Sequence, residues 1–484
     1  MHFTSYSFLL FTAALLILYY TIPSRGQWLL LLTGSYLFYL QIGVGNLVFM
    51  LLTTAATYTT TRILTRNLVM YDKKTARRKN RGWLWLCLGI NFGLLAVCKV
   101  RFTIENILLP MGISFYMFQS MGYVLDVYRG SAAAEKNLAK MALFVSYFPQ
   151  LVQGPISKYG QLMPQLLQAH PYDGRQLSFG LQRMLWGYFK KLVIADRMAV
   201  AVAALKGPEY TGLSFLVLTV FYGVQIYGDF TGGIDMALGL SEALGIHLPE
   251  NFIRPFFAKN TAEYWRRWHI TLGQWMKDYV FYPVSVSSPM RRLSKTARKK
   301  WPQFGKRLPV YAASLATWLC TGIWHGITPN FLLWGMMNCA VIVVSEELTP
   351  LYEKFHNRFH LREKNWYGGF EILRTVMLMN LIRIVDLFPD VGEYFRRPGS
   401  LFTSFRVPLL DLGLTGLDYG ILVLGCILMF VVSLIQERKG SIRELLWKRP
   451  GLRDALVFTL FLAVLLMGSY GIGYDAGNFI YNQF

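Results

Sequence analysis

Patterns for metal binding, disulfides and a covalent nucleophile are missing from this sequence. The five cysteines form no Cys-x-x-Cys pair and lie in or beside apolar runs, so they indicate neither a zinc site nor a disulfide framework. There is no Gly-x-Ser-x-Gly pattern of a serine hydrolase. Internal repeats, low-complexity segments and Gly/Ser-rich linkers are also missing, which predicts one helical domain over 1–484, with no metal and no bound cofactor.

Charge is scarce as well, at 16% of residues against about 25% in an ordinary soluble protein. Apolar runs recur that are long enough to cross a hydrocarbon core of about 30 Å, which takes roughly 20 helical residues. We therefore predict an all-α polytopic membrane protein with about 11 spans, some of them re-entrant or interfacial. The first run lacks a preceding basic region and a cleavage site, so we interpret it as a retained helix. The clearest runs are 6–22, 27–42, 44–64, 83–98, 415–436 and 454–472; the less pure ones are 105–125, 138–152, 179–205, 213–245, 308–321, 329–346 and 370–388.

The formal net charge of +22 is explained by membrane topology rather than by nucleic acid. Basic residues concentrate in three short segments, at 66–81, 291–307 and 438–448, which the positive-inside rule places in the cytoplasm. Three spans precede the first of them, so the N-terminus is predicted to be extracytoplasmic. Docking of an acidic cytoplasmic partner is the less favoured interpretation of these segments.

Polar residues inside apolar runs are candidates for function, because ionisable groups are costly in lipid. The segment 110–129 fits a packing helix with a polar stripe that starts after Pro110. A regular helix cannot continue through Gly154-Pro155, so 148–157, which includes Gln150, is either a pore-lining break or a loop at the membrane surface.

Two carboxylates, Asp229 and Asp235, lie within the run 213–245 and must face protein or a water-filled cavity. Asp229 could orient a histidine or bind a cationic part of a substrate. Equally, both carboxylates could be structural partners of arginines. The sequence leaves these two interpretations open.

The segment 251–283 predicts an amphipathic helix with a capped start at Asn260 and Glu263. Such a helix lies at an interface or wraps a cavity. His269 falls beside its aromatic face, and interfacial anchoring explains the tryptophans but not this imidazole. The aromatic and apolar stripe consists of Trp265, Trp268, Leu272, Trp275 and Tyr279.

His325 is the strongest single candidate for chemistry. A helix over 310–325 would carry it roughly 20 Å from the cytoplasmic boundary, with Trp324 as a flat wall and Gly322 and Gly326 leaving room at the ring. A neutral imidazole can take the proton of a hydroxyl that attacks a thioester carbonyl. Without a nucleophile motif, direct transfer is simpler than an acyl-enzyme. The alternative is a buried histidine of the core.

Several motifs in one order resemble the membrane-bound O-acyltransferase superfamily, and within it the bacterial branch typified by the alginate O-acetylation membrane protein. The resemblance covers about 110–338. The matching motifs are Phe148–Ile156, Asp229–Gly232 with Asp235, Tyr264–Leu272 and Ile323–Gly326.

The resemblance implies that His325 is the catalytic histidine and His269 a second functional one, both lining a tunnel across a bacterial cytoplasmic membrane. It implies an acyl thioester donor on the cytoplasmic side, either acetyl-CoA or an acylated carrier protein. It also implies an acceptor hydroxyl outside, often presented in relatives by a separate extracytoplasmic transferase, which we expect to be SGNH-like. The candidates for lining the tunnel are Trp324, Asp229, Asp235, Trp265, Arg266, Trp268, Gln150 and Asn338.

Two departures from the family pattern bear on the donor and the partner. Tyr282-Pro283 are followed by Val284–Ser287 instead of Leu-Gly-Gly, and Asn338-Cys339 stand where the family usually has a second His-Gly. O-acetylation of an exported polysaccharide is the leading hypothesis. D-alanyl transfer from a carrier protein to teichoic acid is the nearest rival. A transporter for lipid-linked sugars is an alternative of another class, and a structural scaffold is less favoured.

Overall fold

Many helices of this chain begin where the sequence supplies a cap or a proline. Ser5, Asn137 and Asp173 each accept a hydrogen bond from a backbone N–H in the first turn that follows. Pro302 and Pro329 open two long helices, at a position where a proline has no hydrogen bond to lose. These local signals set most of the helix starts described below.

The computed structural model describes residues 2–41, 43–105, 110–405, 407, 409–471, 473–475, 477 and 479, with the backbone alone at 102–105 and 400. The α-helices are α1 Tyr6–Thr21, α2 Gln27–Leu40, α3 Val44–Met70, α4 Lys73–Glu105, α5 Ile113–Arg129, α6 Leu138–Ser146, α7 Phe148–Leu151, α8 Tyr159–Leu167, α9 Gly174–Tyr188, α10 Asp196–Leu205, α11 Leu213–Ala243, α12 Thr261–Arg267, α13 Ile270–Met276, α14 Tyr282–Ser285, α15 Ser288–Lys300, α16 Pro302–His325, α17 Pro329–Glu347, α18 Thr349–Phe359, α19 Asn365–Arg383, α20 Val391–Arg396, α21 Gly416–Lys439, α22 Ile442–Trp447 and α23 Pro450–Met467.

Shorter helical turns link these elements. Two are π-helical, Phe189–Ala195 and Lys277–Phe281. In the described part of the chain the β-type pairing is one isolated antiparallel bridge, between Phe252 and Trp268, and the predicted all-α class is confirmed. The 3-10 turns are Ser24–Gly26, Pro255–Phe257, Leu361–Glu363, Ile384–Leu387, Arg397–Ser400 and Leu409–Asp411.

Five helices among the described residues are long and apolar enough to cross a membrane: α3, α4, α11, α21 and α23. The bent pair α17 and α18 makes a sixth if it is one span. The chain is thus a multi-pass membrane protein, but the predicted number of about 11 spans is not confirmed. Part of the predicted run 105–125 lies outside the described residues, at 106–109, as do residues 42 and 472 at the ends of two other runs.

Several weaker predicted runs prove to be interrupted helices. The run 138–152 is divided between α6 and α7, and the run 179–205 is interrupted by the π-helix Phe189–Ala195. Most of the second basic segment, 291–307, is helical rather than a loop, since it forms α15, which packs against α16. Ser294 in α15 donates to the carbonyl of Gly305 (2.6 Å), which fixes that helical hairpin.

Contacts divide the chain into two units, residues 1–193, 228–250 and 443–484 in the first and 194–227 and 251–442 in the second. In the first unit, α9 and α11 approach through glycines. A Cβ atom at Gly180 would lie 2.4 Å from the backbone nitrogen of Ala243, and one at Gly187 would lie 2.6 Å from the carbonyl oxygen of Gly232. Small residues at such contacts allow helix backbones to touch in a membrane.

The break at Gly154-Pro155 also belongs to the first unit. Residues 147–157 are buried there. Gln150 bridges the break, because its Nε2 donates to the carbonyl of Pro155 (2.8 Å) and to the hydroxyl of Ser157 (2.8 Å). A loop at the membrane surface does not fit this burial. The pore-lining role stays a prediction.

Candidate active site

The ring of His325 lies among aromatic side chains at the C-terminal end of α16. It is 8% exposed. Its centroid lies 4.8 Å from those of Trp324 and Trp334, and it stacks at 14° on Phe331 at 6.3 Å. Because α17 supplies Phe331 and Trp334, the hairpin of α16 and α17 holds the imidazole in place.

The glycines around this histidine have a different role from the one expected. They were predicted to leave room at the ring, but a Cβ atom at Gly326 would lie 2.2 Å from the ring of Phe331, and one at Gly322 would lie 2.6 Å from the backbone oxygen of Phe331. At Gly335 it would lie 2.5 Å from the carbonyl oxygen of Trp318. The space is therefore already filled, and the glycines allow α16 and α17 to pack closely.

His269 lies at a break between α12 and α13. The single amphipathic helix predicted for this segment is wrong beyond residue 267, although its capped start is confirmed: the side chain of Asn260 accepts from the backbone N–H of Glu263 (2.8 Å). His269 has φ 48° and ψ 50°, in the left-handed region, which costs a non-glycine residue about 1–2 kcal/mol. Pairing of residues 251–253 with 267–270, including a hydrogen bond from the Ile270 N–H to the Asn251 carbonyl (3.0 Å), maintains this conformation.

The side chain of Asn251 fixes the tautomer of His269. Its Oδ1 accepts from the backbone N–H (3.1 Å) and hydroxyl (2.9 Å) of Thr271 and lies 3.3 Å from Nδ1 of His269. Since that oxygen is an acceptor, Nδ1 carries the hydrogen and Nε2 is the basic nitrogen. Burial, and then the positive charge of Arg383, lower the pKa of His269 from 6.5 to about 3, so the ring is neutral at pH 7.

Trp324 is a neighbour of both histidines. Its centroid is 5.8 Å from that of His269 and 4.8 Å from that of His325. Two imidazoles that are 56 residues apart along the chain thus share one indole as a neighbour. The structure brings together the two residues that the motifs singled out, and both are buried.

The other tryptophans of the motif belong to an aromatic cluster next to the histidines. The centroid of Trp265 is 4.8 Å from that of Trp318 and 5.8 Å from that of Trp334. Trp268 stacks at 11° on Tyr264, with centroids 5.7 Å apart. Arg266 instead has its side chain on the exposed face of α12.

Arg383 belongs to this site and was missed in the sequence. Its guanidinium lies 3.8 Å from the ring centroid of Trp268, and its Nη2 donates to the hydroxyl of Tyr264 (2.6 Å). It is 3% exposed. The signal was present, because an arginine in the predicted run 370–388 violates the same membrane rule that singled out Asp229.

Two asparagines on α17 make hydrogen bonds near the site. Nδ2 of Asn338 donates to the carbonyl of Trp334 (2.9 Å), and Asn338 is 1% exposed. Nδ2 of Asn330 donates to the carbonyl of Asp386 (3.2 Å) in the turn after α19. The bond of Asn330 fixes the start of α17, and that of Asn338 lies within the helix. The tunnel-lining role of Asn338 stays a prediction.

The remaining candidates, Asp229, Asp235 and Gln150, belong to the first unit. Asp229 pairs with Lys191 at 2.5 Å, and both side chains are at most 3% exposed. Asp235 pairs with Arg183 at 2.9 Å and with Lys190 at 2.6 Å. These ion pairs agree with the structural interpretation of the carboxylates, one partner being an arginine and two being lysines. Their tunnel-lining role is a prediction.

No group of three or more histidine, cysteine, aspartate or glutamate side chains is arranged to hold a metal ion within the part of the chain that the structure describes. The site itself contains two buried imidazoles among aromatic side chains, and one of them is held as a neutral hydrogen-bond acceptor.

This chain is similar to several known proteins. The profile of the MBOAT, membrane-bound O-acyltransferase, family matches residues 132–298 and 301–385. The probable alginate O-acetylase AlgI of Pseudomonas putida is 30% identical over the whole of both chains. The peptidoglycan O-acetyltransferase of Helicobacter pylori is 28% identical over 65% of this chain and 68% of its own, and the teichoic acid D-alanyltransferase of Bacillus subtilis is 25% identical over 56% and 67%.

Proposed function

Given that this chain belongs to the membrane-bound O-acyltransferase family and is an acyltransferase, we propose that it moves an acetyl group from a cytoplasmic thioester to a hydroxyl acceptor that serves the modification of a cell-surface polysaccharide. The observation that carries the proposal is the buried pair His325 and His269, which both neighbour Trp324. Acetyl as the transferred group rests on the acetylases among the relatives.

In this proposal His325 is the general base. Its imidazole takes the proton of the acceptor hydroxyl while the oxygen attacks the carbonyl carbon of the thioester. The tetrahedral intermediate collapses with breakage of the C–S bond, and the proton on His325 passes to the departing thiolate. The products are an ester and a free thiol, and no acyl-enzyme forms. Burial among aromatic rings keeps water from competing for the thioester.

His269 has a different part in the proposed mechanism. Its tautomer is fixed by Asn251, so Nε2 offers a lone pair of constant direction. Such an acceptor can orient a hydroxyl group without removing its proton. We therefore assign His269 to positioning of the acceptor or of an intermediate, with Trp324 as the wall that both histidines share.

The remaining parts of the proposal concern the surroundings of the enzyme. The donor is acetyl-CoA or an acylated carrier protein on the cytoplasmic side of a bacterial cytoplasmic membrane. The acceptor side is extracytoplasmic, where an SGNH-like transferase passes the group to the polysaccharide. The N-terminus faces that side, since the three basic segments favour the cytoplasm. A membrane-crossing tunnel connects the two sides.

The test compares purified wild type with the His325→Ala variant. Thioester consumption is followed with acetyl-CoA in the presence of membrane and surface-polysaccharide fractions. We expect the variant to lose nearly all transfer, since general base catalysis contributes about 10²–10⁴-fold. The His247→Ala variant is the matched control, because His247 is exposed. Equal activity of wild type and His325→Ala would place the active site elsewhere.

The donor decides between acetylation and the D-alanyl alternative. If wild type fails with acetyl-CoA but consumes a D-alanylated carrier protein, the alternative replaces the proposal. The teichoic acid D-alanyltransferase is similar over a smaller share of this chain than the alginate O-acetylase is. That difference favours acetyl transfer, and family membership favours acyl transfer over the transporter hypothesis.

A further inference from the structure

A large apolar groove runs along α1 in the first unit, and none of the residues that line it belongs to the histidine site. It has a volume of about 770 Å³, within the range of about 300–1,000 Å³ typical of ligand pockets. Side chains of α1, α9 and α23 form its walls, among them Leu16, Leu181 and Phe461. None of the most apolar 18-residue window of α23 is buried. α23 therefore packs loosely against the rest of the first unit, and a groove is left beside it.

Pairs of tyrosines mark both ends of the groove. Tyr6 and Tyr470 meet edge to face at 6.5 Å at one end, and Tyr20 and Tyr172 at 5.5 Å at the other. All four line the groove. Tyr6 and Tyr20 are separated by 14 positions of α1, which corresponds to about 21 Å. Tyrosine is typical of the membrane–water boundary, so the groove spans much of the depth of the hydrocarbon core.

The end at Tyr20 and Tyr172 carries positive charge. Tyr172 is followed closely in sequence by Arg175, whose guanidinium lies 5.3 Å from the ring centroid of Trp447. The guanidinium of Arg453 lies 4.7 Å from the same ring. Exposed Lys448 and Arg449 are in the intervening segment. Glu444 and Asp454 pair with the two stacked arginines. Asp173, next to Tyr172 in sequence, is a third acidic group that acts on Tyr20, and the four basic groups outnumber these three.

We propose that this groove binds an anionic glycerophospholipid, with its acyl chains along α1 and its phosphate at the basic end beside Trp447. The lining explains the acyl chains, because it is almost entirely apolar. The charge explains the headgroup, because basic residues at a membrane surface attract anionic lipid. The tyrosine pairs explain the length, since they place both ends of the groove at the boundaries of the hydrocarbon core. The site is independent of the proposed transfer reaction.

Two neighbouring alanines supply a matched test. Ala13 lines the groove, whereas Ala14 is also exposed on α1 but is not among the residues that line it. Ala13→Trp places an indole in the space of the acyl chains, and Ala14→Trp adds the same surface elsewhere. Wild type and both variants are purified from membranes of defined phosphatidylglycerol and phosphatidylcholine content, and bound lipid is counted by native mass spectrometry and by extraction.

We expect wild type to retain phosphatidylglycerol through purification, Ala13→Trp to retain about tenfold less, and Ala14→Trp to match wild type. Arg453→Gln should keep lipid in the groove but lose about fivefold of the preference for phosphatidylglycerol. Equal retention by Ala13→Trp, or equal retention of both lipids by wild type, would overturn the proposal. So would a wild-type dimer that Ala13→Trp converts to a monomer, because a second copy would then be the occupant.

Discussion

The packing of α16 against α17 offers the sharpest test of how the fold positions the candidate base. Gly335→Ala adds one methyl group whose carbon would lie 2.5 Å from the carbonyl oxygen of Trp318 in α16. Ordinary contacts of such a carbon begin near 3.4 Å. The carbonyl belongs to a helix backbone and cannot rotate away, so α17 must move from α16 by about 1 Å. Trp334, which contacts His325, moves with it.

The expected cost in stability is small, and the expected cost in activity is large. Overpacking lowers the free energy of unfolding by about 1–3 kcal/mol. Replacing a glycine within a helix by alanine raises it by about 0.5–1 kcal/mol. A net loss of about 0–2.5 kcal/mol leaves nearly every molecule folded if the chain has an ordinary stability of about 5–15 kcal/mol. A displacement of about 1 Å at a catalytic group, in contrast, can reduce the rate about 100-fold.

The assay measures kcat/KM for thioester consumption together with thermal unfolding in detergent. Gly369→Ala is the matched control, because Gly369 lies in α19 and has no atom within 4 Å of the position of a Cβ. It should keep full activity and gain up to about 1 kcal/mol of stability. Full activity of Gly335→Ala would refute the idea that the hairpin positions His325. A loss of activity explained entirely by unfolding would refute it too.

Three further predictions concern buried charge. Arg383→Met should lower the free energy of unfolding by about 2–4 kcal/mol, and Tyr264→Phe should then cost nothing more, as a thermal double-mutant cycle would show. The pKa of His269 is about 3 in the folded state and 6.5 in the unfolded state, so its contribution to stability falls by roughly 1.4 kcal/mol per pH unit as the pH is lowered from 6.5 to 3. Acid unfolding of the His269→Gln variant should lack this pH-dependent loss of stability. Asp235→Asn should cost about 3–5 kcal/mol, and exposed Asp454→Asn about 0–1 kcal/mol, both measured by thermal unfolding.

Local signals in the sequence predicted much of the fold. Apolar runs located α1, α3, α11 and α21 to within a few residues, because a helix that faces lipid must be apolar over its length. They could not give the number of spans. Helices such as α9 and α16 carry charge or breaks in the sequence and, unlike α3, are not both long and apolar enough to be recognised as spans. Burial within the protein can replace apolar character there, and burial depends on packing.

The candidate site was predictable where each residue acts through its own neighbours in sequence. His325 and Trp324 are adjacent, and their motif was sufficient to find them. The break at His269 was not predictable, because the pairing with Asn251 joins residues 18 positions apart in an irregular loop. Arg383 was a visible charge inside an apolar run, but its partner Tyr264, 119 positions away, was not predictable from the sequence. Polar networks across helices leave no periodic pattern.

The two histidines differ in ways that prevent an exchange of roles. His269 has a pKa of about 3, and a group that weakly basic removes a proton from a hydroxyl poorly at neutral pH. Arg383 also disfavours a second positive charge beside it. The ring of His325 instead has the indoles of Trp324 and Trp334 as neighbours, both at centroid distances of 4.8 Å. His269 is therefore the poorer base, and His269→Gln should lower kcat/KM for thioester consumption less than His325→Ala does.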